Sequence, residues 1–161
     1  MTHRWCRSEM KKMGQGVEIE DVEGFADIAA SYATMLELRP NLGNVESFVQ
    51  QVIRQKAQGY RLTAAWSDGE IVGLVGYRSQ ESLFYGRYVF VDDLVVNASF
   101  RKSGIGALLL DAARKYAREL GCKQLVLETG LQKVLAQRFY FREGLLPHAL
   151  GFTESLGDRT H

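Results

Sequence analysis

Asp93-Leu94-Val95-Val96-Asn97-Ala98-Ser99-Phe100-Arg101-Lys102-Ser103-Gly104-Ile105-Gly106-Ala107-Leu108-Leu109 decides how the rest of the chain is read. Its left end closes a run, residues 88–96, that is apolar except for Asp92 and Asp93. Such a run predicts a central strand buried on both faces. Its right end opens the clearest helix of the sequence, expected over residues 104–120. Ile105, Leu108, Leu109, Ala112, Tyr116 and Leu120 fall on one face, with Asp111, Arg114, Lys115, Arg118 and Glu119 on the other. Gly121 follows where a helix wants a left-handed residue. The chemistry lies between strand and helix. The first N–H groups of a helix lack intrahelical partners and carry the positive end of its dipole. Gly104 and Gly106 let an anion approach them, and Arg101 and Lys102 add formal charge. A pyrophosphate suits that cradle.

Two nucleotide-binding patterns fit it poorly. A Walker A loop puts Gly-Lys-Ser/Thr after a longer glycine-rich loop, whereas Lys102 precedes both glycines. A dinucleotide fingerprint needs a third glycine where Leu109 stands, and a strand directly before the loop. Here residues 97–103 intervene.

Working outward, residues 17–20 alternate like a short strand. Phe25, Ile28, Ala29, Tyr32 and Leu36 recur at helical spacing until Pro40 stops them. Val45, Phe48, Val49, Val52 and Ile53 make a second helix, capped by Asn44 and ended by Gly59. Residues 60–66 and 71–77 read as strands around Asp68-Gly69, a hairpin signal. After the helix at 104–120 come a strand at 124–129, a helix at 132–143 stopped by Gly144, and a last strand at 149–155. These elements make one α/β domain over residues 17–161. Residues 1–16 have no period and carry Arg4, Arg7, Lys11 and Lys12 against Glu9, which reads as a flexible tail.

Composition narrows the partners. At 161 residues the chain has the length of about one domain. Its 20 Lys+Arg and 19 Asp+Glu leave a charge of +1, so no global field draws it to nucleic acid or to an anionic membrane. No apolar stretch approaches the roughly 20 residues of a membrane span, and the first residues lack a secretory apolar core. Cys6 and Cys122 have no metal-ligand spacing and suit a reducing cytoplasm. His3, His148 and His161 are scattered, so no metal site is expected.

The pattern Arg-x-x-Gly-x-Gly/Ala after a strand ending Leu-x-Val resembles the pyrophosphate loop of the GNAT N-acetyltransferase superfamily. A second stretch, Ala136-Gln137-Arg138-Phe139-Tyr140-Phe141-Arg142-Glu143-Gly144-Leu145, resembles that superfamily's Ala-x-x-Phe-Tyr-x-x-x-Gly-Phe helix. The resemblance spans residues 17–155. It implies a single-domain acetyltransferase fold, a mixed central sheet of about six strands flanked by about four helices. It also implies an enzyme that moves an acetyl group from acetyl-CoA by direct transfer to a primary amine. Neither cysteine falls in a matched motif, which argues against a covalent acyl-enzyme. The rival class is an acyl-CoA-binding regulatory module that keeps the cradle but does no chemistry.

Carried over residue by residue, the resemblance assigns Arg101, Lys102, Ser103, Gly104, Ile105 and Gly106 to the cofactor phosphates. It assigns the backbone of Leu94, Val95 and Val96 to the pantetheine arm. Tyr140 matches the family's acid, which protonates the departing thiolate; a thiol has a pKa of about 8.5 and a tyrosine about 10, so the phenol holds its proton at neutral pH. Asp93 and Asp92 are the candidate bases because they interrupt an apolar strand, with Glu128 behind them. Strict alternation would put the two acids on opposite faces unless a bulge intervened. Lys133 stands where many members have Asn, and Leu145 replaces the usual Phe. Arg39, Tyr85 and Arg87 lie where the fold takes its acceptor, and the neutral overall charge points to a small-molecule amine. A short end after the last helix leaves a sheet edge for a possible homodimer.

Overall fold

The computed structural model describes residues 16–157. The chain divides after Leu127 into two compact units. The first contains all the strands: β1 (Val17–Asp21), β2 (Arg61–Ser67), β3 (Glu70–Ser82), β4 (Gly86–Val96) and β5 (Gln124–Leu127). They form one mixed sheet in the order β1-β2-β3-β4-β5. The first four are antiparallel neighbours, and β5 runs parallel to β4.

Helices α1 (Phe25–Leu38) and α2 (Val45–Ala57) connect β1 to β2, and α3 (Ile105–Glu119) crosses from β4 to β5. Asn44 caps α2 by accepting from the Ser47 N–H at 2.9 Å, as the sequence predicts. Asp68 and Gly69, at φ +50° and +80°, make the two-residue turn between β2 and β3, whose twist matches the strands it joins.

Strand alternation sends side chains to two packing layers. Leu62, Ala64, Leu74 and Val95 meet Ile28, Met35, Phe48, Val49 and Val52 from α1 and α2 in one core. Gly73 belongs to the other face: a Cβ there would come within 2.9 Å of Leu109 and 3.1 Å of Ile105 on α3. The buried stripe of α3 is Ile105, Leu109, Leu110, Ala113 and Ala117, one row round from the expected one. The small side chains of Ala113 and Ala117 let the helix approach the sheet, leaving Leu108, Ala112 and Tyr116 half-buried on its flank. A similar correction applies to α1, whose buried positions are Ile28, Ser31, Thr34 and Met35, with Phe25 exposed. Two of these are polar, and each hydroxyl donates to a carbonyl: Ser31 to Ile28 at 2.7 Å and Thr34 to Ile71 at 3.1 Å. That satisfies the groups burial would otherwise strand.

The second unit carries α4 (Val134–Arg142), shorter than the expected 132–143. Gly144 follows at φ +82°. The strand expected at 149–155 does not form, and the mixed sheet has five strands, close to the expected number of about six. Strand-like alternation needs a ladder partner to become a strand, and the ladder ends at β5. No helix among the described residues is long and apolar enough to cross a membrane.

Candidate active site

Strand β4 is paired with β3 along its whole length, from Ser82↔Gly86 to Gly73↔Val96. Its pairing with β5 stops at Val91↔Leu127. Over residues 92–96 the β5 side of the strand therefore has no strand neighbour among the described residues. Two groups of candidate residues, the acids and the aliphatic three, sit on this half-open segment.

The acids come first. The β3–β4 register runs Gly76↔Asp93 and then Tyr77↔Val91, so Asp92 is an extra residue opposite one position of β3. This is the bulge that lets two successive acids be served from one side. Gly76 and Arg78 share a face of β3, and their neighbourhood engages both carboxylates. Arg78 Nε donates to Asp92 Oδ2 at 3.0 Å. Tyr60 Oη donates to Asp93 Oδ2 at 2.8 Å. Arg39, just past the end of α1, donates from Nε to Asp93 Oδ1 at 3.0 Å and from a terminal nitrogen to the Asp92 carbonyl at 2.9 Å. Both oxygens of Asp93 are thus held, while Asp92 is held through one. Among the described residues Asp92 Oδ1 takes no hydrogen bond. Burial pushes the Asp92 carboxyl above its ordinary value of 3.8, against the opposing pull of Arg78. Burial and the two acids push the Tyr60 phenol well above 10.0.

The loop follows. Asn97 caps a short 3₁₀ turn at Ala98–Phe100 by accepting from the Ser99 N–H at 3.2 Å. Arg101 Nε donates to the Val96 carbonyl at 3.4 Å, and the Ser103 hydroxyl donates to the Phe100 carbonyl. Glu37, on α1, accepts from the Ala98 N–H at 3.0 Å and lies 3.7 Å from the Arg101 guanidinium. Lys102 at φ +65° and Gly104 at φ +84° both take the left-handed conformation. Alternating conformations of this kind turn backbone N–H groups inward to a common centre. Helix α3 then starts without any side-chain cap. Its first N–H groups and the positive end of its dipole lie just after exposed Arg101 and Lys102, and no acidic residue stands in the first turn. Glycine is favoured at 104 because it takes that conformation without the strain an L side chain such as that of Lys102 carries there.

Tyr140 lies on α4 in the second unit, partly buried, with its ring 5.4 Å from that of Phe139. Burial raises its phenol above 10.0, which keeps it a proton donor at neutral pH. Lys133 occupies the N-cap position of α4, and Glu128 opens the same unit, exposed. The structure thus gathers Asp92, Asp93 and the expected acceptor-side Arg39 into one cluster. Tyr85 and Arg87 instead sit near the β3–β4 turn, where Tyr85 stacks on Phe84 and Tyr88. Sequence reasoning missed Glu37, Tyr60 and Arg78. Gly76 was the available signal, since a glycine inside a strand marks a bulge or a close approach.

Comparison with known proteins identifies the family. The sequence matches the Acetyltransferase (GNAT) family over residues 26–144. It is 35% identical, over 70% of this chain and 79% of the relative, to an uncharacterized N-acetyltransferase, YhdJ, of Bacillus subtilis. It is 27% identical, over 81% of this chain and 82% of the relative, to the aminoglycoside N(6')-acetyltransferase type 1 of Stenotrophomonas maltophilia. Among solved structures, the aminoglycoside N-acetyltransferase AAC(6')-Iy in complex with CoA superposes with a TM-score of 0.77 at 16% identity. That match covers 87% of this chain and 95% of the other. The chain is an N-acetyltransferase and belongs to the GNAT family.

Proposed function

We propose that this enzyme transfers an acetyl group from acetyl-CoA directly to a primary amine of a small molecule. When bound, acetyl-CoA supplies a thioester whose acyl carbon the amine nitrogen attacks; the C–N bond forms, the C–S bond breaks and the thiol departs. The observation that carries the reading is the uncapped start of α3, preceded by left-handed Lys102 and Gly104 and reached along the half-open segment of β4. The backbone of Ser103, Gly104, Ile105 and Gly106 would hold the pyrophosphate, with Arg101 and Lys102 adding charge. The backbone of Leu94, Val95 and Val96 would hold the pantetheine arm.

For the proton steps, Asp92 is the better base of the two acids. Both oxygens of Asp93 are occupied by Arg39 and Tyr60, whereas burial makes Asp92 more basic. Asp92 would take the amine proton, with Asp93 fixed beside it. Tyr140 would give its proton to the departing thiolate; its motif and its raised phenol support that role. Relatives named as aminoglycoside acetyltransferases favour a small polyamine-like acceptor. The enzyme would work in a reducing cytoplasm, where the free Cys122 stays a thiol. It would self-associate along a sheet edge, and light scattering of the purified chain reads its oligomeric state.

Thiol release from acetyl-CoA with a panel of amines, including aminoglycosides, amino sugars and polyamines, tests the function. The expected result is release with at least one class. Stabilisation by acetyl-CoA with no release for any amine would leave an acyl-CoA-binding module instead. Tyr140→Phe should lower turnover roughly 10²- to 10⁴-fold with acetyl-CoA affinity kept. Unchanged turnover would remove Tyr140 as the acid.

A further inference from the structure

We infer that Tyr60 is a positioning residue for the acid pair, acting through a slot that the missing side chain of Gly76 leaves open. This rests on the reading that Asp92 and Asp93 serve the acceptor amine. Tyr60 follows α2, where its N–H donates to the Gln55 carbonyl at 3.0 Å, and it is 3% exposed. Its ring lies against Gly76, where a Cβ would stand 1.9 Å from the phenol oxygen and 2.5 Å from the ring carbon bearing it. No side chain at 76 is compatible with that ring position. Gly76 is also the residue paired with Asp93 at the bulge, so the slot and the irregularity coincide.

One tyrosine touches both halves of the pair. Its hydroxyl donates directly to Asp93 Oδ2 at 2.8 Å. Its ring is the surface over which the Arg78 guanidinium lies, 5.3 Å from the centroid, while Arg78 Nε holds Asp92 at 3.0 Å. A core tyrosine needs an acceptor for its hydroxyl, and a backbone carbonyl would serve. A carboxylate costs far more to bury. Placing one here, with a second beside it on a bulge, is expensive for stability alone and makes sense where two acids must be held in a fixed arrangement. Burial and the two acids hold the phenol above its ordinary range, so it remains a donor at neutral pH.

Tyr60→Phe tests the proposal, because it keeps the ring under Arg78 and removes the donated proton. We expect kcat/KM for the best panel amine to fall about tenfold, with acetyl-CoA affinity by calorimetry unchanged. With Asp93 less neutralised, its repulsion of Asp92 grows. The acid limb of the pH–rate profile should therefore move to higher pH. The Asp92 carboxyl, followed by ¹³C NMR in aspartate-labelled protein, should move with it whether or not an amine is present. Gly76→Ala should reproduce the rate loss by displacing the ring. In an Asp93→Asn background, Tyr60→Phe should add nothing. A rate loss with the Asp92 titration unmoved would make Tyr60 merely structural and overturn the inference. So would loss in the Asp variants with Tyr60→Phe at full activity. Full activity of both Asp92→Asn and Asp93→Asn would remove the underlying reading, and this inference with it.

Discussion

Two stretches of the same strand and its exit are built by opposite means. Around Asp92 and Asp93, the contacts run from side chain to side chain, and the partners come from distant places: Arg39 after α1, Tyr60 before β2 and Arg78 in β3. From Asn97 to Gly104, the structure is mostly local and backbone-made, through an Asx cap, a serine bond to Phe100 and two left-handed residues. Glu37 is its distant side-chain anchor. A site made of side chains can tune proton affinity. One made of backbone N–H groups holds an anion with little regard to which side chains surround it. On the function proposed above, the first region serves the proton steps and the second serves donor affinity, so the two should fail separately.

The sharpest way to break that division is Asp92→Asn. It should lower kcat/KM for the amine by about 10²- to 10⁴-fold while leaving the acetyl-CoA dissociation constant unchanged by calorimetry. A parallel loss of acetyl-CoA affinity would show that the bulge also builds the donor site. Gly104→Val tests the other side. A β-branched residue at φ +84° carries a left-handed penalty of roughly 1–2 kcal/mol, so acetyl-CoA should bind about tenfold more weakly. The rate at saturating donor should survive. Glu37→Gln is gentler. It removes the charge that holds the Ala98 N–H and faces Arg101, and exposed pairs of this kind are worth under about 1 kcal/mol. A loss of donor affinity of about threefold is expected, with amine kinetics at saturating donor unaltered.

The same contrast explains what could be read from the sequence. The cradle was legible because its cause is local: Gly104 and Gly106 announce a close approach, and the cations are adjacent. The acids were legible as an anomaly in an apolar run. Their partners were not, because Arg39 and Tyr60 lie 54 and 33 residues from Asp93 and carry no local mark of their role. They meet beside the register slip at Gly76, and a bulge depends on strand pairing rather than on one strand's pattern. The buried stripes of α1 and α3 shifted for a related reason. Apolarity identified the helices, but close packing chose the small Ala113 and Ala117, and satisfied hydroxyls allowed Ser31 and Thr34 inside. The strand expected at 149–155 shows the limit from the other direction, since alternation without a partner strand remains only alternation.

The smallest effect is the most specific to the acid region, and it concerns stability rather than rate. The folded protein disfavours the charge on Asp92: burial raises its carboxyl above 3.8, and Arg78 offsets this only in part. A raised value means that folding binds the proton more tightly than the unfolded chain does. The contribution of the protonated form is therefore fully present below about pH 3.8 and is lost as pH rises through the folded value. Asparagine does not titrate. The melting temperature of Asp92→Asn relative to the parent should accordingly climb as pH is raised from about 3 towards 7, even though the variant has lost most of its activity. The broken pair with Arg78 lowers or raises the variant's curve as a whole, but the slope of the difference belongs to Asp92. A difference that instead falls with rising pH would mean that Arg78 outweighs burial. Asp92 would then be an ordinary ion-pair partner, no more basic than a surface carboxylate, and the case for preferring it over Asp93 as the base would be gone.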